Sequence, residues 1–197
     1  MDTQVPLSPG RQWEVDFFGV RCPYGSFTPP AYQNFDPSVQ EIIDAGGRNT
    51  GPGGAYNYNP ATPRPSVSYD LWKQVQKGLP SYVKGQPHHH LFLYLAIGGM
   101  ALDIYHGVDA FFFWNGTYVS VDVSITQKKR KGGRRNGSRL KADVLITPAD
   151  NNPARLRELG RQIAELFQSR LEQPKKRDGF HIRLPIPTDV RFRAGMR

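Results

Sequence analysis

Asn115-Gly116 stands between two runs of β-branched and aromatic residues, Val108-Asp109-Ala110-Phe111-Phe112-Phe113-Trp114 and Thr117-Tyr118-Val119-Ser120-Val121-Asp122-Val123-Ser124. An Asn-Gly pair in that setting is the strongest short-range cue for a two-residue type I′ hairpin, because both central residues must take positive φ. If these two residues are the loop, Trp114 faces Thr117 and the ladder runs outward to set Asp109 opposite Asp122. Directly opposed residues hold their Cβ atoms about 4.5–5.5 Å apart. Carboxylates that close repel, so one holds a proton or both hold a cation. A bulge or a longer turn would instead let the two acids diverge across a solvated face.

Strand side chains alternate between faces. Ala110, Phe112 and Trp114 therefore share an apolar face with Val119, Val121, Val123 and Ile125 and are expected to pack on the core. Asp109, Phe111, Phe113, Tyr118, Ser120, Asp122, Ser124 and Thr126 share the other. That face grows more polar towards the open end of the hairpin, as expected of a cleft floored by the two acids.

At 197 residues the chain can bury one good core with an appended arm. Its net charge of +9 points to a polyanionic partner, nucleic acid before an anionic membrane. Eight of the fourteen residues from Lys128 to Lys141 are basic, namely Lys128, Lys129, Arg130, Lys131, Arg134, Arg135, Arg139 and Lys141, with no acid among them. The lone Cys22 excludes an intramolecular disulfide and suits a reducing compartment. Asp2, Glu14 and Asp16 among prolines do not resemble a signal peptide. The apolar run from Leu91 to Leu102, interrupted by Gly98-Gly99, is too short to span a bilayer. A soluble chain without a membrane partner is expected.

Residues 1–68 are rich in Pro, Gly and aromatics and show no sustained period. They read as an extended arm that packs on its own domain or on a partner protein. One helix is expected within it from Asp36 to Ala45, with Asp36 as cap and Pro37 in the first turn. Beyond the arm the expected order is a helix over 69–79, a helix from about His89 to Tyr105, the hairpin, the basic loop and a third strand over 141–147. A helix started by Asn152 and Pro153 follows, and a last strand over 180–184. This is an α/β domain over 69–190 followed by a basic tail, 191–197.

That order, with Gly107-Val108-Asp109 before one hairpin strand and Asp122-Val123-Ser124 on the next, resembles the PD-(D/E)XK nuclease superfamily over about residues 90–172. The resemblance implies a restriction-endonuclease-like core (helix, β-hairpin, third strand, helix, strand). It also implies a magnesium or manganese ion held by Asp109, Asp122 and the backbone carbonyl of Val123. Ser124 occupies the position of the family's lysine. Lys141, opening the next strand, is the preferred substitute, ahead of Lys128, which lies six residues beyond Asp122. In some members an upstream helical acid is a further metal or water ligand, a role open to Asp103 or Glu41; an exposed acid at a helix end is the plainer reading.

Magnesium suits hard oxygen donors and is typically held by one or two carboxylates plus water and substrate. The basic loop (Lys128, Lys129, Arg130, Lys131, Arg134, Arg135 and Arg139) would neutralise phosphates without reading sequence; in a eukaryotic or viral source its Lys128–Arg135 run would also read as a nuclear import signal. His88-His89-His90 point in different directions and have no nearby Cys or acid partner. No phosphate-binding loop ending in Lys-Ser or Lys-Thr occurs. Cys22 has no helix N-terminus to activate it. The sequence thus favours a metal-dependent deoxyribonuclease, cytoplasmic or virion-associated rather than secreted. The alternative is a nucleic-acid-binding structural protein of nuclease fold with catalysis lost or blunted, in a large assembly such as a phage head or neck, where head-completion proteins of this fold type are known.

Overall fold

The computed structural model describes residues 7–20, 30–45, 58–80, 90–96, 99–125 and 142–172. Within them five helices and four strands form a mixed α/β fold. The strands are β1 (Phe92–Leu95), β2 (Ala110–Trp114), β3 (Thr117–Val123) and β4 (Val144–Ile146), in that spatial order. β1, β2 and β3 pair antiparallel, and β4 runs parallel to β3.

The hairpin has the expected register. Trp114 pairs with Thr117, and the ladder continues to Ala110 and Val121. Asn115 and Gly116 take φ of 48° and 74°, the left-handed pair that a type I′ turn requires.

Each face of the sheet carries its own core. On one, Ala110, Phe112, Trp114, Val119, Val121 and Val123 pack as expected. Covering them are α1 (Pro9–Phe18), α3 (Val67–Gly78) and α5 (Pro153–Glu172). Ile125, expected on this face, lies beyond the strand and is exposed. The opposite face is covered as well. Phe111, Phe113 and Tyr118 are buried there with Val39, Ile42 and Ile43 of α2 (Phe35–Asp44) and Leu102 of α4 (Ala101–His106).

Two further corrections concern elements that pack on these cores. The expected helix from His89 to Tyr105 is strand β1 and the short α4. β1 puts Leu93 and Leu95 into one core and Phe92 and Tyr94 against the other. A strand covered on both faces reads as a continuous apolar run rather than an alternation, and so passes for a buried helix. Residues 9–18, read as part of an extended arm, form α1. Ser8 precedes it, Pro9 occupies its first turn, and Trp13, Phe17 and Phe18 are buried.

Elsewhere the expected elements appear with shifted ends. α2 starts after Asn34, so Asp36 sits in its first turn rather than at the cap. α3 begins at Val67, its cap Ser66 accepting from the Tyr69 N–H at 3.2 Å. α5 has the expected start, Asn152 Oδ1 accepting from the Arg155 N–H at 3.0 Å. The expected strand over 180–184 and the tail over 191–197 lie outside the described residues. No described helix is long and apolar enough to cross a membrane.

Candidate functional site

At the open end of the hairpin the ladder stops one pair short of the two aspartates. Asp109 N–H donates to the Val121 carbonyl at 3.0 Å, and the Asp109 carbonyl accepts from Ala96 N–H at 2.8 Å. Its side-chain Oδ2 accepts from Val123 N–H at 2.6 Å. Asp109 thus grips β3 on both sides of Asp122, through its backbone to Val121 and its carboxyl to Val123. Both aspartates are buried, each 7 % exposed.

Two helices on opposite sides of the sheet add acids to this end. α4 carries Asp103, six residues before Asp109, and its Leu102 anchors in the second core. α1 carries Glu14, and its Trp13, Phe17 and Phe18 anchor in the first. The charges act on one another. Burial raises Asp109 to about 8; the Val123 N–H opposes the rise, while Asp103, Glu14 and Asp122 add to it. Burial likewise raises Asp103 to about 6, with Glu14 and Asp122 adding and Arg11 and the Gly99 N–H opposing. Arg11 stands one turn before Glu14 on α1 and pairs with it, NH1 to Oε2 at 3.2 Å.

Four carboxyl groups from α1, α4, the start of β2 and the end of β3 therefore share one electrostatic environment. Such crowding in a desolvated place is resolved by protons at low pH or by a cation. Hard carboxylate oxygens are the donor chemistry that magnesium takes, and one or two of them suffice when water and substrate complete the shell. Asp109 and Asp122 fit that requirement, although among the described residues no three His, Cys, Asp or Glu side chains stand together at metal-ligand spacing.

Glu14 is the member that sequence reasoning missed. Its signal was present in Ser8-Pro9 followed by Trp13, Phe17 and Phe18 at helical spacing, inside a segment whose prolines and glycines suggested no helix. Glu41 is exposed on α2. Lys141 and the basic residues Lys128, Lys129, Arg130, Lys131, Arg134, Arg135 and Arg139 lie outside the described residues, as do His88 and His89.

The described residues resume just after the basic stretch. Asp143 accepts from Ser120 N–H and Ser120 Oγ, each at 2.8 Å. Arg170 of α5 donates to the other Asp143 oxygen at 2.5 Å and also to the Tyr118 carbonyl. Burial alone would raise the Asp143 carboxyl; the Arg170 and Ser120 hydrogen bonds outweigh it and hold the group below its usual range. The chain thus leaves the sheet just past Asp122 and is tied down again beside Ser120, with the basic residues between.

The chain matches no protein-family model, no curated protein and no solved structure.

Proposed function

We propose that the protein is a divalent-metal-dependent nuclease acting on DNA, with Asp109 and Asp122 as its central acids. One observation carries the reading: Asp109 and Asp122 are both buried at the open end of the hairpin, Asp109 gripping β3 through Val121 and Val123 on either side of Asp122, and burial and the neighbouring acids push the Asp109 carboxyl up. Asp109 and Asp122, with the Val123 carbonyl, would hold a divalent cation there. When bound, a magnesium or manganese ion supplies charge stabilisation at the scissile phosphate and favours a deprotonated water. The chain's own residues do the rest. The Val123 N–H orients the Asp109 carboxyl, and Asp103 is a candidate to order or deprotonate water. The basic residues from Lys128 to Arg139 would bind flanking phosphates, and Lys141 is a candidate amine. A restriction-endonuclease-like topology belongs to the same proposal.

Ser124, where a lysine would complete the resemblance, supports the second reading: a DNA-binding structural protein of nuclease fold within an assembly such as a phage head or neck. The two readings part in one assay. Linear and circular DNA are incubated with the protein in magnesium, manganese or EDTA. The nuclease reading expects metal-dependent cleavage that Asp122→Asn abolishes. DNA binding with no cleavage in either metal favours the structural protein.

A further inference from the structure

β4 closes one side of the sheet. Its inner edge pairs with β3, and among the described residues no strand pairs with its outer edge. An open edge presents backbone N–H and C=O groups as a template for a further strand. A groove of about 570 Å³ follows that edge, walled by Val144 and Leu145 on one side and by Leu159, Gln162, Leu166 and Ser169 of α5 on the other. Leu145 and Leu166 are only partly buried, which leaves apolar surface for an occupant to cover.

α5 decides what reaches this groove first. The helix starts beyond the end of β4 and returns to its beginning, where Arg170 donates to Asp143 and to the Tyr118 carbonyl. Neighbouring parallel strands need a crossover of roughly a dozen residues or more, usually a helix, and α5 has that form. Residues 173–197 follow it. Among them Asp178-Gly179 is a turn signal and Phe180-His181-Ile182-Arg183-Leu184 alternates apolar and polar residues. Pro185 and Pro187 then suit the end of a strand whose far side stays unpaired. The lengths agree: α5 rises about 15 Å from Leu159 to Ser169, and five extended residues span about 16 Å.

We propose that residues 180–184 occupy this groove as a fifth strand parallel to β4, with Phe180, Ile182 and Leu184 turned under α5. His181 and Arg183 then share the sheet face of Leu145 and Asp122, which brings a basic residue to the face that carries the acids. The tether favours this occupant over a free peptide, since a short flexible link holds it at an effective concentration of about millimolar. The proposal needs neither metal nor nucleic acid, so it is judged apart from the nuclease reading.

Disulfide trapping in the full chain, with Cys22→Ser as background, tests it. Ser169 lines the groove; Gln168 is also exposed but is turned about 100° from Ser169 around the helix. Ser169→Cys and Gln168→Cys are each combined in turn with Phe180→Cys, Ile182→Cys and Leu184→Cys. The tethers are nearly equal, so an undocked tail would join both positions alike. Under mild oxidation at least one tail position should bond within its own chain to Ser169→Cys about tenfold faster than to Gln168→Cys, because a disulfide demands close Cβ approach. Equal rates at all three positions overturn the proposal, and so does a bond formed only between copies, which would give the groove to a second chain. Amide exchange supplies an independent reading. Ile182→Pro should speed exchange across Val144–Ile146 about tenfold, the worth of one lost backbone hydrogen bond, and unchanged exchange there overturns the pairing. Should Ile182→Pro fail to fold, the trapping decides alone.

Discussion

Asp109 does two jobs that oppose each other. Its carboxyl completes the backbone of β3 by accepting from Val123 N–H, and it sits where burial and three other acids disfavour its charge. The consequence for stability has a definite sign. An aspartate raised from an ordinary value near 3.9 to about 8 binds its proton more tightly folded than unfolded. Its contribution is greatest below the unfolded value and is lost as pH rises towards 8. Asp103, raised to about 6, acts the same way over a lower window. The metal-free protein should therefore melt at a lower temperature at pH 8 than Asp109→Asn, by at least about 5 °C, and the two should converge near pH 4. Equal melting across that range would mean that Asp109 carries no such strain. Asn can still accept from Val123, so the comparison isolates the charge. Asp143 has the opposite sign. Its lowered pKa stabilises the protein above the unfolded value and ceases to as pH falls through the folded one.

The elements that carry the acids are held by packing that differs in how legible it was. The hairpin could be read because Asn-Gly allows little else, and its register followed from the turn. β1 could not, since burial on both faces erased the alternation that marks a strand. α1 was obscured by composition, although Trp13 and Phe17 already stood at helical spacing. The sequence accordingly pointed to Asp109 and Asp122 and raised Asp103, but lost Glu14 with the helix that presents it. The burial of the second face was hidden for a related reason: two helices outside the hairpin, α2 and α4, cover its aromatics, and nothing within the hairpin encodes them.

If α1 is docked by its aromatics, Phe17→Ala should cost about 3–5 kcal/mol in urea unfolding. It should also weaken whatever metal response the wild type shows, because Glu14 and Arg11 would lose their placement. Gly160 supports a different contact. A Cβ there would lie 2.5 Å from the Gln74 Cβ and 2.8 Å from the Gln74 backbone, so α3 and α5 approach through that glycine. Gly160→Ala should destabilise by about 1–3 kcal/mol; a neutral or stabilising result would show that the two helices can separate without loss.

At the scale of the whole molecule, charge is divided. The chain is strongly basic, yet the described end of the hairpin gathers acids. The basic stretch begins six residues after Asp122 in sequence, and Asp143, Ser120 and Arg170 secure its return to the sheet. On the proposed reading one part would hold the polyanion and the other would cut it. Replacing Lys129, Arg130, Lys131, Arg134 and Arg135 by neutral residues should then weaken duplex DNA binding and flatten its salt dependence by about 0.9 in log–log slope per lost contact. An unchanged slope would remove this stretch from the interface.

The central claim is that Asp109 and Asp122 together hold one divalent cation. Calorimetric titration of manganese into the wild type, Asp109→Asn and Asp122→Asn tests it most directly. The predicted result is saturable binding to the wild type, with proton release at pH 7, and loss of that binding in each variant. Undiminished binding in both variants would contradict the claim, as would a wild type that takes up no manganese.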